Sequence, residues 1–529
     1  MKRIFLLALG FAGCCGAAQA QIRLGDGQLT GSFETNTIGY FEDDGVKGMT
    51  TPPDHFGSNN YMKADYTYKK FSAGVQVDAY LPALQGYDGL QDGYKFYLSS
   101  KYIQWQDRNF EVLVGDIFDQ LGNGLIFRSY EDRQLGLNNS LEGVRGIYRF
   151  SRFVELKGMY GRPRLYTDYA ESWVRALDLR LSMNDVFNWN AVTLSLEGSY
   201  VNRYEALDKD EMIDFGQRGL TSPNLNMWSG RLNFDWNGLS LRGEYVTKSK
   251  DLTSAIAAKA VSGNAVYGEI GYNYKTLSLS GTFRRLEDMG TMLTLYGTGT
   301  GNSLNYLPAL TRQYTYMLAN LEPYQVSADG ELAGQADVYY SLRSKENRYR
   351  YWNFHVNFST AYTLHAITPD VDEHQLMWRD INFDVERQWN KSWKTIFLFS
   401  RQEYSPSRGS TDELYTSNIF VGDVTYKFNR KYSLRWEVQY LLSDDYEGDW
   451  VAGLVEFNIA PKWSVFFSDM YNLGETKTNY YNGGFSFTKN RTRIQLGYGR
   501  NREGYVCSGG VCRLQPAYTG LNLVLTSSF

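Results

Sequence analysis

The chain ends in Tyr518-Thr519-Gly520-Leu521-Asn522-Leu523-Val524-Leu525-Thr526-Ser527-Ser528-Phe529. Successive side chains of a strand point to opposite faces, so one face here is apolar and carries Leu521, Leu523, Leu525 and Phe529. A strand at a chain end leaves a row of backbone donors and acceptors unpaired, which lipid does not tolerate. Pairing with the first strand would remove that edge, so the segment predicts the closing strand of a transmembrane β-barrel. An ordinary edge strand is the alternative.

Hairpins with the same two-residue alternation recur along the chain. Residues 62–68 alternate apolar and polar side chains, turn at Lys69-Lys70, and return as residues 71–81. Residues 228–236 turn through Asn237-Gly238, the strongest short hairpin signal, into another alternating run. The runs approach the length of about nine to eleven residues that a tilted membrane strand needs.

Short turns alternate with long polar connections, such as residues 205–226 and 248–263. Membrane barrels show this asymmetry, with short turns on the periplasmic side and long loops outside the cell. The alternating segments number about 24, and we expect an even count between roughly 20 and 26. The sequence therefore predicts an all-β, antiparallel transmembrane barrel with long extracellular loops. A soluble sandwich or propeller is the alternative, although exposed faces of those folds seldom carry Trp, Phe and Leu in every strand.

The N-terminus predicts secretion. Residues 1–20 combine a basic start, an apolar run and a small-x-small cleavage site at Ala18-Gln19-Ala20. We therefore expect a signal peptide at 1–20 and a β-barrel over 21–529, in the outer membrane of a Gram-negative cell. A lipoprotein signal acylated at Cys14 or Cys15 is the alternative.

The composition excludes several classes of protein. After residue 20, no run approaches the roughly 18 to 20 apolar residues that a spanning helix requires. Aromatic residues make up 16% of the chain, with 42 Tyr, which suits the aromatic girdles of a membrane barrel. The net charge of -4 argues against a nucleic-acid binder. We expect outer-membrane lipid as a partner, and no cofactor.

Two cysteines follow the predicted signal, Cys507 and Cys512. In an oxidising compartment they are expected to form a disulfide that closes a small loop. A metal site would need further ligands, and no His or other Cys lies nearby in sequence. The acidic run 444–449 could hold calcium through its carboxylates, but acidic loop tips are usually just solvated, and no metal site is predicted.

Residues 114–145 join two good strands, yet this stretch is neither short nor purely polar. Gly122 and Gly124 permit a tight backbone within it. A barrel of about 24 strands has a lumen wider than its wall side chains can fill, so something must occlude it. We therefore hypothesise that the segment folds inward as a constriction, with an ordinary solvated loop as the alternative. The candidate constriction residues are Arg128, Tyr130, Glu131, Asp132, Arg133 and Arg145.

The same stretch carries Gly-Asp at 115–116, Gly-x-Gly-Leu at 122–125, Arg-x-Tyr-Glu-x-Arg at 128–133 and Gly-Val-Arg at 143–145. With this pattern the chain resembles a family of Bacteroidota outer-membrane barrels of uncharacterised function. Residues 304–311 and Asp329-Gly330-Glu331 are similar to a second signature of that family. The resemblance implies a barrel in the outer membrane and brings no activity with it.

The closing strand also resembles the C-terminal signal of bacterial outer-membrane barrels, in which a terminal Phe is read by the assembly machinery. This resemblance implies the barrel-assembly machinery as a partner, contacted through the strand that ends at Phe529. Other envelope proteins are candidate partners through the long loops.

Residues 289–330 form the longest stretch without clean alternation. Within it, residues 314–321 are compatible with a short helix or an irregular cap. A partner-binding cap, a lumen-closing loop and plain surface decoration are all open for this stretch.

The leading functional interpretation is a pore for small polar or charged solutes, gated by residues 114–145. Arg128, Arg133 and Arg145 would attract anions. Glu131 and Asp132 would oppose that attraction within the same constriction. The alternative is a structural or interaction barrel, a subunit of an envelope assembly or secretion complex, with a sealed lumen.

Enzymatic chemistry is not expected. His355 faces the same way as Asn357 and Ser359 on one predicted strand, which is the arrangement nearest to a hydrolase site. Alternate residues of a strand lie about 7 Å apart, too far for a hydrogen bond between nucleophile and base.

Overall fold

The computed structural model describes residues 22–46, 48–87, 89–91, 93–253, 257–297, 299, 301–347, 349–508 and 511–529. The predicted signal at 1–20, with Cys14 and Cys15, lies outside the described residues. Helix is scarce in the described ranges: α1 spans Met183–Phe187, α2 spans Lys209–Gln217, and a 3-10 turn spans Leu318–Asn320. No helix in these ranges is long and apolar enough to cross a membrane.

In the described part of the chain, 24 antiparallel strands, β1 to β24 in chain order, form one closed sheet. The first twelve are β1 Gly27–Phe41, β2 Phe56–Tyr68, β3 Phe71–Tyr80, β4 Lys95–Gln106, β5 Phe110–Ile117, β6 Leu141–Ser151, β7 Val154–Leu165, β8 Trp173–Ser182, β9 Val192–Tyr204, β10 Asn224–Trp236, β11 Leu239–Asp251 and β12 Val261–Tyr274. The others are β13 Leu277–Glu287, β14 Gly330–Arg343, β15 Tyr351–Thr363, β16 Leu376–Gln388, β17 Trp393–Tyr404, β18 Tyr415–Lys427, β19 Tyr432–Ser443, β20 Trp450–Ile459, β21 Trp463–Asn472, β22 Asn479–Lys489, β23 Thr492–Asn501 and β24 Tyr518–Ser528. Two short strands, Ile22–Leu24 and Asp168–Tyr169, extend the sheet at its rims.

The sheet closes because β24 pairs with both β23 and β1. The register between β1 and β24 runs from Ser32 opposite Ser528 to Phe41 opposite Thr519. Beyond it, the last residue and Gly31 exchange two backbone hydrogen bonds, of 3.1 and 2.9 Å. The predicted count of about 24 strands and the predicted closing role of the last strand are confirmed.

Each strand presents an apolar outer face and a more polar inner face. On β10, Trp228 and Trp236 are exposed on the outside, whereas Arg231 is buried on the inside. Exposed aromatic side chains cluster near both rims of the outer wall, as the girdles of membrane barrels do. Near the rim that holds Phe529 they include Trp105, Phe110, Tyr148, Tyr274, Tyr340, Trp393 and Trp463, and near the other rim Phe41, Tyr160, Tyr440 and Tyr498.

The two rims differ in the length of their connections. At the rim that holds Phe529, here named the turn end, strands are joined by short connections such as 69–70, 237–238 and 490–491. At the opposite rim, here named the loop end, the connections are longer and include 118–140 and 288–329. Short turns and long loops therefore alternate along the chain, as the sequence predicts.

Candidate functional site

The connection between β5 and β6, residues 118–140, folds into the lumen and is here named the first plug segment. Two small hairpins shape it: Asp119–Leu121 pairs with Phe127–Ser129, and Glu131–Asp132 pairs with Leu137–Asn138. Gly122 and Gly124 have φ angles of +56° and +89°, in the region that favours glycine, and they turn the chain within the first hairpin.

The first plug segment reaches inward-facing side chains on well-separated parts of the wall. The Asn123 N–H donates to Glu244 Oε2 on β11 at 3.1 Å. Further along, Glu131 Oε1 accepts a hydrogen bond from Gln76 Nε2 on β3 at 2.6 Å. The segment therefore extends from the β3 side of the lumen to the β11 side.

Arg128 is sandwiched between two aromatic rings. Its guanidinium carbon lies 4.1 Å from the ring centre of Tyr130 and 3.9 Å from that of Tyr306. Burial raises the pKa of the Tyr130 hydroxyl, and the neighbouring Arg128 charge opposes that effect. Because Tyr306 belongs to the connection 288–329, Arg128 fastens the first plug segment to that connection by cation–π contact.

Arg133 ties the first plug segment to the barrel wall. Its Nη1 lies 2.8 Å from Glu34 on β1, and its Nε lies 3.2 Å from Glu131. The guanidinium also lies over the ring of Tyr61, 4.6 Å from its centre. Burial works against the charge, but Glu131 and Glu34 together raise the pKa of Arg133 above its ordinary value.

The other two candidates, Asp132 and Arg145, face different surroundings. Asp132 Oδ1 accepts from the Gln134 N–H at 3.0 Å, so this carboxylate caps a turn of the plug. Arg145 lies on the inner wall of β6, where it pairs with Glu111 and, at 3.1 Å, with Asp119. The six candidates predicted from the sequence therefore form separate contacts rather than one shared ring of charge.

The described residues of the connection between β13 and β14, within 288–329, are here named the second plug segment. Leu295 and Tyr296 pack on the loop 205–223 at the loop end, whereas residues 304–318 contact the first plug segment or the inner wall. The Tyr314 hydroxyl donates to Asp380 Oδ2 on β16 at 2.6 Å. The Leu318 N–H donates to Gln439 Oε1 on β19 at 2.9 Å. The second plug segment thus follows the inner wall from β16 to β19.

The two plug segments pack against each other. The Arg128 N–H donates to the Leu304 carbonyl at 3.0 Å, and the Tyr306 N–H donates to the Gly124 carbonyl at 2.9 Å. One buried apolar cluster joins both segments to the wall. It includes Leu121, Ile126 and Phe127 of the first segment, Leu293 and Leu304 of the second, and inward residues of strands β5 to β13. The loop end of the lumen therefore holds a two-part plug with its own apolar core.

Glu331, at the start of β14, anchors the end of the second plug segment. It pairs with Arg284 on β13 at 2.6 Å, and both side chains are fully buried. Its other carboxylate oxygen accepts from the Tyr324 hydroxyl and from the Ser327 N–H. The pair therefore has the additional hydrogen bonds that a buried ion pair requires.

The last loop, between β23 and β24, folds over the plug as a two-stranded hairpin. Cys507 and Cys512 are bonded within it, with an S–S distance of 2.01 Å. Arg513 Nε of the same hairpin donates to the Gln134 carbonyl of the first plug segment at 2.8 Å. The disulfide hairpin is therefore attached to the plug.

Arg502, at the base of the disulfide hairpin, holds two further connections. Its Nη2 lies 2.8 Å from Glu447 and 3.3 Å from Glu322 of the second plug segment. Burial raises the pKa of Glu322, and Arg502 offsets only part of that effect. Burial also opposes the charge of Arg502, but the two carboxylates raise its pKa. One guanidinium thus joins three connections at the loop end.

His355 lies on the inner wall of β15, between two carboxylates. Its Nδ1 lies 2.9 Å from Asp384 and its Nε2 lies 2.9 Å from Asp337. The ring stacks on Tyr339 with the ring centres 3.9 Å apart. Both ring nitrogens are engaged by carboxylates rather than by Ser359.

The acidic run 444–449 uses carboxylates in local turns. Asp445 Oδ1 accepts from the N–H groups of Glu447 and Gly448, at 2.9 and 2.8 Å. Among the residues that the structure describes, no group of three or more His, Cys, Asp or Glu side chains is placed to hold a metal ion.

Sequence reasoning singled out the first plug segment and left the second one open. The only regular helical structure described within 288–329 is the 3-10 turn Leu318–Asn320. A usable signal was present, because Tyr314, Tyr316 and Leu318 alternate as residues of an extended segment do. Their hydrogen-bond partners could not be predicted from the sequence, because the partners lie on strands that come close only in the closed barrel.

A closed antiparallel barrel of this size, apolar outside and plugged inside, has the architecture of an outer-membrane β-barrel. The chain belongs to DUF6029, a family of unknown function, which matches residues 1–529. The sequence motifs resemble a barrel family whose function is uncharacterised, and the matching family is likewise one of unknown function.

Several solved structures are similar to this chain at low sequence identity. The P pilus usher (PapC) translocation pore has 10% identity and a TM-score of 0.45, with 94% of this chain and 99% of that chain covered. The siderophore receptor PirA from Pseudomonas aeruginosa has 11% identity and a TM-score of 0.43, with 96% and 81% covered. OccAB3 from Acinetobacter baumannii has 12% identity and a TM-score of 0.36, with 95% and 98% covered. No functional assignment rests on these similarities, and no curated protein matches the chain.

Proposed function

We propose that this protein is an outer-membrane channel for small polar or charged solutes, gated by its two-part plug. The observation that carries the proposal is the plug itself. A closed barrel with a polar inner wall holds two of its own connections inside, and ionic contacts fasten them to that wall, Arg133 to Glu34 for the first and Arg312 to Asp384 for the second. Such contacts can be released without opening the hydrogen-bonded wall of the barrel.

In this mechanism the wall of the barrel spans the membrane, and the plug controls the passage of solutes through the lumen. Arg133 fastens the first plug segment to Glu34, so its release would free that segment from the wall of β1. Arg128 and Arg145 are engaged by rings and carboxylates respectively. These cations therefore act mainly as fastenings, and the plug rather than a free anion site limits passage.

Planar-bilayer recording of the purified barrel tests the channel. Wild type is expected to show discrete openings. Arg133→Ala should raise the open fraction about fivefold, because losing a partly exposed ion pair weakens the closed state by roughly 1 kcal/mol. Arg149→Ala is the matched control, since Arg149 pairs with Glu155 on the neighbouring strand of the wall.

A wild-type barrel that stays silent in bilayers would contradict the channel. Equal open fractions in Arg133→Ala and Arg149→Ala would contradict gating by the plug. Heat-modifiable migration on SDS gels shows for each variant whether the barrel is folded, so a loss of signal through misfolding is recognised directly.

We further propose the outer membrane of a Gram-negative bacterium as the location, with lipid around the apolar outer face. The resemblance to Bacteroidota barrels supports this source. The loop end would face outward and the turn end the periplasm. The strand that ends at Phe529 is the proposed contact for the barrel-assembly machinery. Recovery of the protein with inner-membrane or soluble markers after cell fractionation would contradict this location.

A structural or interaction barrel is the second candidate function. The apolar core shared by plug and wall favours it, because a plug fastened by buried apolar contacts resists displacement. Stoichiometric co-purification with other envelope proteins, together with absent solute flux, would support a scaffold. A barrel that purifies alone and conducts solutes would exclude one.

We propose no enzymatic role for the chain. The engagement of both His355 nitrogens by Asp337 and Asp384 supports this, because neither nitrogen is available as a base for Ser359. Hydrolytic activity of the purified wild type that disappears in His355→Ala would overturn it.

A further inference from the structure

In the described part of the chain, strands β22, β23 and β24 form the one run of consecutive strands whose inner face has no residue buried in an apolar cluster. Separate apolar clusters bury inward residues of β1 to β3, β5 to β13, β14 to β16 and β17 to β21. None of the clusters has a buried member on β22, β23 or β24. Only Tyr480 and Tyr518 pack against them there, partly buried at the loop end.

The inner face of these three strands follows from the register. Glu34 faces inward because it holds Arg133 of the plug, and Thr526 on β24 lies opposite Glu34. Arg493 on β23 lies opposite Thr526, and Thr488 on β22 lies opposite Arg493. Counting by twos from these positions gives the inward residues between the two rims: Asn482, Gly484, Ser486, Gln495, Gly497, Gly499, Gly520, Asn522 and Val524. At the strand ends the same count gives Tyr480, Asn501 and Tyr518 at the loop end and Ser528 at the turn end.

Between the two rims these inward side chains are short, so the wall is set back from the plug. Four of the positions are glycine, and Asn482, seven positions from the turn-end limit of β22, is part-exposed. By contrast, Ser400 on β17 and Asn357 on β15 are fully buried beneath the second plug segment or its neighbours. We name the space along β22 to β24 the lumen seam.

The lumen seam is also nearly uncharged. Arg493, near the turn end, is the one charged residue among the inward positions named on β22 to β24. Strands β6 to β11 each carry at least one inward charge, including Arg145, Lys157, Asp178, Glu197, Arg231 and Glu244. At the turn end the seam opens beside a cavity of about 580 Å³, which Ser486 and Gln495 line together with the charged residues Glu456, Lys462 and Arg493. The charges are therefore confined to this mouth, and the inward positions between Gln495 and the loop end carry none.

We propose that the lumen seam is the solute path, and that its solutes are uncharged and rich in hydroxyl groups, as sugars and polyols are. The proposal rests on the channel function proposed above and names its solute class. An ion entering a narrow passage without counter-charges loses hydration that the wall does not replace. Hydroxyl groups exchange their hydrogen bonds to water for bonds to Asn, Gln, Ser and Thr side chains, which both donate and accept.

Liposome swelling with four probe solutes of similar size tests the solute class. The neutral sugars glucose and mannose are expected to enter faster than the anion gluconate and the cation glucosamine. Faster entry of either ion would overturn the neutral class while leaving a channel in place. Absent swelling with every solute would overturn the channel function itself, so the two failures are distinguishable.

Cysteine modification of the folded barrel tests the route. Ser486→Cys places a thiol in the seam, and Ser280→Cys places one on the inner face of β13, across the lumen; each residue lies three positions from the turn-end limit of its strand. The two cysteines that follow the predicted signal are bonded to each other, so a bulky maleimide reacts at the introduced thiol. Because the reagent is added after folding, the result does not depend on whether a large side chain folds.

The modified Ser486→Cys barrel should admit glucose at least about fivefold more slowly, because the label fills the passage, while the modified Ser280→Cys barrel keeps its rate. Equal loss in both variants would overturn the seam as the route, as would an unchanged rate in modified Ser486→Cys. Mass spectrometry confirms that each thiol has reacted.

Discussion

At the residue scale, charged side chains of this lumen serve as fastenings. Arg128 lies between two rings, Arg133 pairs with Glu34, and Arg284 pairs with Glu331. Away from bulk water, such contacts are stronger than on an exposed surface. Arg128, Arg133 and Arg145, for which anion attraction is predicted, each contact a ring or a carboxylate in this structure.

Replacing Arg128 tests this role. Arg128→Ala should lower the free energy of unfolding by about 2 kcal/mol, because two cation–π contacts are lost at once. Urea titration in lipid vesicles, followed by tryptophan fluorescence, measures the change. Arg108→Ala, at an exposed turn, is the control and should stay within about 0.5 kcal/mol of wild type. Equal effects of the two substitutions would show that the ring sandwich contributes no stability.

At the scale of elements, the strands could be predicted because the two faces of a barrel wall meet different surroundings along their whole length. The hairpin predicted at 62–68 and 71–81 is present as β2 and β3. The first plug segment could be located because 114–145 breaks that alternation. The contacts of the two plug segments could not be predicted. Partners such as Tyr314 and Asp380, 66 residues apart, meet only in the closed barrel.

The attachment of the second plug segment gives a prediction for an element. Glu331→Gln leaves the guanidinium of Arg284 buried without a counter-charge, which should cost about 3–5 kcal/mol of stability. The loss should also raise the open fraction in bilayers, because Tyr324 and Ser327 lose a carboxylate acceptor. Bilayer recording and urea titration of the same preparation measure both effects.

Glu287→Gln is the matched control for that experiment. Glu287 also faces an arginine, Arg285, but its side chain is partly exposed, so the change should stay within about 1 kcal/mol. If Glu331→Gln were no more destabilising than this control, the anchoring of the second plug segment by the buried pair would be wrong.

At the scale of the whole molecule, the pairing between β1 and β24 closes the long sheet into a single cylinder. Every other strand pairs with neighbours close in sequence, whereas β1 and β24 come from opposite ends of the described chain. Closure of the barrel therefore depends on the pairing of the first strand with the last strand. Gly31 and Phe529 lie at its turn end, where they exchange backbone hydrogen bonds.

Gly31 also leaves room for the terminal ring. A Cβ added at Gly31 would overlap the Phe529 ring, whereas a Cβ added at Gly39, on the same outer face of β1, would meet nothing within 4 Å. Gly31→Val should therefore displace the ring and destabilise the closed barrel by about 1–3 kcal/mol, as overpacking does. Gly39→Val should leave stability near that of wild type. The midpoint temperature of heat-modifiable migration on SDS gels measures both.

A double variant separates the ring contact from other effects of the new side chain. If Gly31→Val acts by displacing the Phe529 ring, adding Phe529→Ala to it should cost little further stability, although Phe529→Ala alone lowers the midpoint. Residues in direct contact show this non-additivity, whereas independent sites add. Strict additivity of the two changes would mean that the terminal ring does not pack on Gly31 and that closure is held by the backbone ladder alone.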